Sequence, residues 1–173
     1  VLDQRKNIEW FAEQWVRHQA FGTNGLLLAV GPQTREDADG ALRGRLAALG
    51  ESHPGLFVLR DFSTDILAYY QSADALVLPS LKEGLPNVVL EAMACGLPCV
   101  AARASGSREL IREGETGYTY AHGDVAEMGE ALRRCLSPEG GRLGEKAREV
   151  AQAQYSIQAI ADRYEVLYEQ LLK

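Results

Sequence analysis

The chain has 173 residues, of which 46% are hydrophobic, so it is long enough for one globular domain with a core and short for two. Its formal net charge of −6 argues against a general nucleic-acid or anionic-membrane surface, because such a surface needs an excess of lysine and arginine. The apolar runs are far shorter than the roughly 20 residues that cross a bilayer, and no signal-peptide pattern opens the chain. We therefore expect a soluble, cytoplasmic domain without a transmembrane segment.

The three cysteines argue against a disulfide framework and against a metal site. Cys95, Cys99 and Cys135 are odd in number and lie among alanines and leucines. No histidine or aspartate stands beside them to complete a set of metal ligands. We therefore predict that they are small core residues of a reducing compartment, and that the protein holds no metal.

Short apolar segments alternate with amphipathic ones along the chain. Between residues 7 and 20, apolar side chains such as Phe11 and Trp15 recur at the spacing of one helix face. The continuous apolar run at residues 26–30 has the profile of a strand that is buried on both faces. The predicted strands are residues 26–30, 56–59, 75–78, 99–102 and 117–120. The predicted helices are residues 7–20, 36–49, 66–71, 86–95, 125–136, 142–154 and 157–172.

Strands that alternate with helices pair in parallel through right-handed crossovers, and helices must cover both faces of such a sheet. We therefore predict a single α/β domain over residues 1–173, with a doubly wound, Rossmann-like parallel sheet and only helices from about residue 124 to 172. Ligands bind beyond the carboxyl ends of the strands in this architecture. No strand precedes a Gly-x-Gly-x-x-Gly turn, so the pattern disfavours a dinucleotide-binding dehydrogenase.

The most informative segment is residues 79–117, which reads PSLKEGLPNVVLEAMACGLPCVAARASGSRELIREGETG. Glu83 lies in a strand-to-helix loop, where Gly84 lets the backbone approach a ligand closely. Proline suits the first helical position, so we predict that the helix begins at Pro86 and that its unpaired N–H groups form an anion site. Glu91 leans toward this end of the helix, because helical side chains point toward the amino terminus.

The same segment resembles the carboxyl-terminal domain of the retaining glycosyltransferases of family 4, which have the GT-B fold. The signature of that family is a glutamate, seven residues and a second glutamate, and Glu83 and Glu91 stand at that spacing. The similarity includes the string Glu-Ala-Met-Ala-Cys-Gly, continues through Gly106, Glu109 and Gly117, and covers most of the chain in order. Two glutamates alone are common by chance, whereas this context is specific.

The resemblance implies a donor-binding domain that corresponds to the carboxyl-terminal half of a GT-B enzyme. Such an enzyme transfers a sugar from a UDP-, GDP- or ADP-linked donor to an acceptor with retention at the anomeric carbon, as in polysaccharide biosynthesis. The nucleotide-sugar is the substrate, and no further cofactor is implied. The implied partner is an amino-terminal acceptor-binding domain of the same enzyme, without which this fragment is expected to be inactive. The full enzyme is expected in the cytoplasm, either free or peripheral at the membrane.

The resemblance also implies roles for individual residues. Glu83, the predicted catalytic residue, holds hydroxyls of the transferred sugar close to the reacting carbon. Glu91 accepts hydrogen bonds from the adjacent hydroxyls of the ribose, and Lys6 faces the diphosphate. The alternative without a ligand is that Glu91 favours the helix dipole and that Glu83 caps its loop. The other predicted donor-binding positions are Gly84, Leu85, Pro86 and Asn87.

The sequence departs from the family pattern ahead of the first helix. The family has an arginine five residues before the lysine, and that position is Val1 here. Either Arg5 takes over its role, or phosphate binding is weakened, or the sequence begins just inside the domain. Arg60 follows the second strand and is an additional candidate, together with Asp61, for contact with the nucleobase. The equal alternative is that both are exposed loop charges.

Two other classes of function remain open on the residues alone. A non-catalytic nucleotide-binding or regulatory α/β module would share the fold without the chemistry. The string from Glu83 to Gly96 favours the enzyme, because a generic module has no reason to contain it. A related GT-B enzyme, such as a glycogen, starch or sucrose synthase, is also compatible with the sequence.

Overall fold

The structure, a computed structural model, describes residues 4–32 and 40–172. Within these ranges the chain forms five β-strands and eight α-helices, with short 3₁₀ turns at Gln4–Lys6 and Gln19–Gly22. The strands are β1 (Leu27–Val30), β2 (Phe57–Arg60), β3 (Leu76–Leu78), β4 (Cys99–Ala102) and β5 (Gly117–Tyr120). The helices are α1 (Ile8–Arg17), α2 (Ala41–Ser52), α3 (Ile66–Ser72), α4 (Asn87–Ala94), α5 (Ser105–Leu110), α6 (Val125–Cys135), α7 (Glu139–Tyr155) and α8 (Ile157–Leu171).

The strands pair in parallel, as the alternation of strands and helices predicts. β1 pairs with β2, so that Leu27 stands opposite Phe57. β4 lies between β3 and β5, where Cys99 stands opposite both Leu76 and Gly117. The hydrogen bonds thus form one two-stranded and one three-stranded sheet among the described residues. A single hydrophobic cluster with side chains from β1, β2, β4 and β5 joins them. The predicted α/β class is confirmed.

Burial differs between the strands. Every residue of β4 and β5 is buried, as expected for strands covered on both faces. In β1 the pattern alternates, and Leu28 is 40% exposed. The prediction that this strand is buried on both faces was therefore wrong. The reason is that Leu27 and Ala29 face the cluster that contains residues of α1 and α2, whereas the side chain of Leu28 points to the opposite face.

Two predicted helices begin at other residues, and one observed helix was not predicted. The helix predicted at residues 36–49 is observed at Ala41–Ser52, and residues 33–39 lie outside the described residues. α7 begins at Glu139 and not at residue 142, because the Ser137 hydroxyl accepts a hydrogen bond from the Glu139 N–H at 3.2 Å. α5 was not predicted, since Ser-Gly-Ser is a poor helix former. The hydroxyl of Ser107 holds it, by donating to the Ala102 carbonyl at 2.7 Å and accepting from the Ala104 N–H at 3.1 Å.

α4 is fixed at its carboxyl end by a contact between two backbones. Gly96 follows the helix with φ of 81°, the left-handed conformation that glycine adopts without strain. A Cβ on Gly144 of α7 would lie 2.0 Å from the Gly96 carbonyl oxygen. Only glycine therefore allows α7 to pack this closely against the end of α4.

α8 packs on α7 and buries none of its own residues. Its apolar face bears Ile160, Tyr164 and Leu167, which are 37%, 54% and 45% exposed. The terminal helix predicted at residues 157–172 is observed at Ile157–Leu171. None of the helices in the described residues is sufficiently long and apolar to span a bilayer.

Candidate functional site

The loop that carries Glu83 is held by the short helix α5. The N–H of Gly106 donates to the carbonyl of Glu83 at 3.3 Å. A Cβ on Gly106 would lie 1.5 Å from the carbonyl oxygen of Gly84 and 3.0 Å from Cδ of Pro86. At Gly84 itself, a Cβ would meet no atom within 4 Å. The loop is therefore tightly packed where it faces α5. On the side toward which a Cβ of Gly84 would point, no atom of the described residues lies close to it.

α4 begins immediately after this loop. Pro86 precedes the helix with an extended backbone, φ −75° and ψ 101°, and Asn87 is the first helical residue, so the predicted start was one position early. Proline in this place ends the loop because its ring fixes φ. No side chain of the described residues caps this end. The first N–H groups of a helix have no partner within it, so the exposed start at Asn87 and Val88 offers donors to an anion.

Lys6 and Glu83 lie together, although 77 positions separate them. Nζ of Lys6 is 2.6 Å from Oε1 of Glu83, and their side chains are 33% and 11% exposed. The turn that carries Lys6 docks against the loop after β3, because the N–H of Leu81 donates to the carbonyl of Arg5 at 2.9 Å. The structure thus brings together Lys6 and Glu83, two of the predicted site residues, ahead of the amino end of α4.

The second glutamate of the signature has a partner that sequence reasoning missed. Oη of Tyr70, in α3, donates to Oε2 of Glu91 at 2.8 Å. Tyr70 is 9% exposed, whereas Glu91 is an exposed residue. Burial, together with the bond to Glu91, raises the pKa of Tyr70 well above its ordinary value. The one signal in the sequence was a tyrosine at an apolar position of a short helix, since buried tyrosine usually needs a partner for its hydroxyl.

Two buried polar atoms in the same region have no partner among the described residues. They are Oγ of Ser80, which is 1% exposed and follows β3, and Nδ2 of Asn7, which precedes α1. Buried polar groups nearly always have a hydrogen-bond partner. Both residues adjoin the segments that carry Lys6 and Glu83, so this part of the site has hydrogen-bonding capacity for a polar ligand or water.

The additional candidates lie in two places, the turn ahead of α1 and the end of β2. Arg5 is exposed, and Val1, where the family has arginine, lies outside the described residues. Arg60 is an exposed residue at the end of β2. Asp61 forms an ion pair with Arg43, which also donates to the carbonyl of Gly31 at 3.3 Å. Asp61 thus ties the loop after β2 to α2 and to the loop after β1.

The cysteines are free thiols, as predicted. Cys99 and Cys135 are buried, and Cys95 is partly exposed. Burial raises the pKa of Cys135 to about 12 and raises that of Cys99 still further. Among the residues that the structure describes, no three His, Cys, Asp or Glu side chains form a group that could hold a metal ion.

Comparison with known proteins identifies the family. The sequence model described as glycosyl transferases group 1 matches residues 1–138, and the chain therefore belongs to the group 1 glycosyltransferases. N-acetyl-alpha-D-glucosaminyl L-malate synthase of Bacillus anthracis is 37% identical over 103 residues, which are 58% of this chain and 27% of that protein. The matched segment thus spans about a quarter of the length of this relative.

Solved structures show the same fold. HepE of Anabaena in complex with UDP has a TM-score of 0.82 at 21% identity, and the match covers 98% of this chain and 46% of that one. The carboxyl-terminal domain of a group 1 glycosyl transferase, LpcC of Francisella tularensis, has a TM-score of 0.74 at 21% identity, over 90% of this chain and 83% of that domain. The predicted fold, that of the carboxyl-terminal half of a GT-B enzyme, is confirmed.

Proposed function

We propose that this domain binds the nucleotide-sugar donor of a retaining glycosyltransferase at the amino end of α4. The observation that carries the proposal is the convergence of Lys6 and Glu83 at the start of that helix, with an N–H-rich end and the open side of Gly84 beside them. A sugar diphosphate presents negative charge and hydroxyls together. It therefore needs a cation, N–H donors and a carboxylate acceptor within one short distance.

In the proposed complex, Lys6 and the first N–H groups of α4 face the diphosphate. As the bond between the anomeric carbon and the diphosphate oxygen breaks, negative charge grows on the leaving group, and these donors stabilise it without reorganisation. The acceptor oxygen bonds to the anomeric carbon on the same face, and its proton passes to the leaving diphosphate. Glu83 accepts hydrogen bonds from hydroxyls of the sugar and fixes its position.

Glu91 is proposed to accept hydrogen bonds from the ribose. A carboxylate is a strong acceptor with two oxygens, which suits two adjacent hydroxyls. The UDP complex of HepE, which shares the fold, supports a nucleoside diphosphate as the ligand. Leu85 and Asn87 are proposed as further contacts, because both are exposed on either side of the buried Pro86.

We further propose that acceptor binding and much of the catalytic environment belong to a second domain of the whole enzyme. The match covers 46% of the HepE chain, so its fold accounts for about half of such a protein. Closure of that domain over the donor would exclude water and orient the acceptor. The exposed apolar face of α8 is the proposed contact with it.

Isothermal titration of the 173-residue protein with UDP, GDP and ADP tests the proposal. We expect one of the three to bind, and its sugar adduct to bind as well, with modest affinity because this domain forms only one wall of the cleft. AMP and inorganic phosphate serve as controls, since each lacks part of the ligand. The absence of heat with all three diphosphates at millimolar concentration would overturn the proposal. A nucleotide-binding module without a catalytic role would bind the diphosphate, but the attached sugar would not increase its affinity.

A further inference from the structure

A residue outside the signature segment contacts one of its two glutamates. Oη of Tyr70 donates to Oε2 of Glu91 at 2.8 Å, from the neighbouring helix α3. We propose that Tyr70 is a positioning residue for nucleotide recognition, which holds the Glu91 carboxylate in the orientation that accepts the ribose hydroxyls. The inference rests on the proposed function and deepens it, because it assigns recognition of the ribose to a pair of residues.

Packing around the ring of Tyr70 restricts the position of its hydroxyl group. Its ring is 9% exposed and belongs to the same hydrophobic cluster as Val89 and Met93 of α4. Burial raises its pKa, so the phenol keeps its proton and remains a hydrogen-bond donor across the physiological pH range. The packed ring therefore presents a fixed donor to the side of α4 that bears Glu91.

Glu91 is the partner that needs such support. It is exposed and has three rotatable side-chain bonds, so it would sample several rotamers without a fixed partner. The bond to Tyr70 engages Oε2, and Oε1 has no partner among the described residues. Because an ionised carboxylate has about four lone-pair sites, one bond from Tyr70 leaves room for two hydroxyls. Ordering the carboxylate in advance removes part of the entropic cost of binding.

The test uses Tyr70→Phe, which keeps the buried ring and removes only the hydroxyl. Titration calorimetry compares UDP, GDP and ADP with dUDP, dGDP and dADP, which lack the 2′-hydroxyl. For the diphosphate that binds, we expect Tyr70→Phe to lower the affinity about three- to tenfold, which is less than the loss of a direct hydrogen bond to a charged group, because Tyr70 acts on the ligand only through Glu91. The deoxy compound should lose less, so the preference for ribose over deoxyribose should shrink. Adding Tyr70→Phe to Glu91→Gln should weaken binding little further, because the two residues act through one contact.

Tyr118→Phe is the matched control. Oη of Tyr118 donates to Oε1 of Glu139 at 2.9 Å, and Tyr118 is 7% exposed, so this variant also removes a buried tyrosine-glutamate bond. Tyr118 lies in the first half of β5, away from the carboxyl ends of the strands. We expect Tyr118→Phe to leave the affinity for all six nucleotides unchanged.

The possible results separate the two claims. If wild type binds a diphosphate and Tyr70→Phe binds it equally well, the positioning role is wrong and the proposed function stands. If Tyr70→Phe weakens the ribo and deoxy compounds by the same factor, Tyr70 is merely structural and the inference is again wrong. If wild type binds none of the diphosphates, the proposed function and the inference fall together.

Discussion

Lys6 and Glu83 form a 2.6 Å ion pair that joins the turn ahead of α1 to the loop ahead of α4. The pair lies where a parallel α/β fold binds its ligands, beyond the carboxyl end of a strand. In the proposed complex the two groups face different parts of one donor, the diphosphate and the sugar. Substitutions at the two positions should therefore depend on the ligand in different ways.

Lys6→Met should weaken binding of the nucleoside diphosphate about tenfold or more, because a hydrogen bond to a charged group contributes about 1.5–3 kcal/mol. The loss should be smaller at high salt, since screening already weakens the wild-type contact. Lys82→Met is the control, because Lys82 is an exposed neighbour of Glu83 in the same loop. Titration calorimetry at two salt concentrations measures both effects. Equal losses in the two variants would mean that Lys6 contributes only to the net charge.

Substitutions of the two glutamates should weaken the binding of different ligands. Glu91→Gln should weaken the nucleoside diphosphate itself, whereas Glu83→Gln should spare the diphosphate and weaken only the sugar-bearing donor. Each loss should be about tenfold or more, from the same contribution of about 1.5–3 kcal/mol for a charged hydrogen bond. Affinities of both variants for diphosphate and for donor check this. Equal effects on both ligands would contradict the assigned roles.

Gly106→Ala should destabilise the protein and displace the loop before α4, because its Cβ would lie 1.5 Å from the Gly84 carbonyl oxygen. Overpacking of this kind costs about 1–3 kcal/mol, which lowers the melting temperature by about 2–12 °C in a chain of this length. Gly84→Ala is the contrasting variant, since its Cβ would meet nothing within 4 Å. It should keep the wild-type melting temperature and lose diphosphate affinity, because the methyl group fills the open side of the loop. An unchanged melting temperature for Gly106→Ala would show that the contact can relax.

Cys99 and Cys135 should resist alkylation in the native protein. The thiolate is the reactive form, and with the pKa of Cys135 near 12 only about one thiol in ten thousand is ionised at pH 8. Cys95 is partly exposed and should react first. Mass spectrometry of the protein after iodoacetamide treatment distinguishes the three positions, and treatment in guanidinium chloride is the control in which all should react. Rapid labelling of Cys99 would show that the core opens far more often than its burial indicates.

The 173-residue protein should bind donor but transfer no sugar. Positioning of the acceptor and exclusion of water are the contributions that the proposed second domain supplies. Transfer with the best-binding donor and a broad panel of acceptors is measured for this chain and for a longer polypeptide with an amino-terminal domain. Hydrogen exchange in α8 should slow in the longer polypeptide, where the face with Tyr164 and Leu167 becomes covered. Robust transfer by the short chain would refute the need for a second domain.

Sequence reasoning succeeded where local patterns carry the information. Apolar runs and their glycine and proline boundaries located all five strands, because such runs and the residues that end them are local features of the sequence. The burial of β1 on both faces was predicted wrongly, because burial depends on which elements pack against the strand. The spacing of Glu83 and Glu91 identified the family only together with its context, the string Glu-Ala-Met-Ala-Cys-Gly and the glycines that follow it. The predicted start of α4 differs from the observed start by only one position.

Sequence reasoning failed where the structure depends on distant contacts. Tyr70 gave no spacing signal, because its bond to Glu91 joins two helices through tertiary packing. α5 has little intrinsic helix propensity and is held by the bonds of Ser107 to the end of β4. Gly106 was noted only as part of the family pattern, and the structure supplies its reason, which is the contact with Gly84.

The glycines at the two ends of α4 also limit how this protein could acquire a new donor preference. Gly106 against Gly84 and Gly144 against Gly96 leave no space for a side chain at Gly106 or Gly144, so α4 cannot shift to accommodate a larger ligand without disturbing one of these contacts. A redesign for another nucleotide or sugar should therefore keep the helix in place. Substitutions at exposed positions of the helix, such as Val88, would leave the glycine contacts at both ends undisturbed.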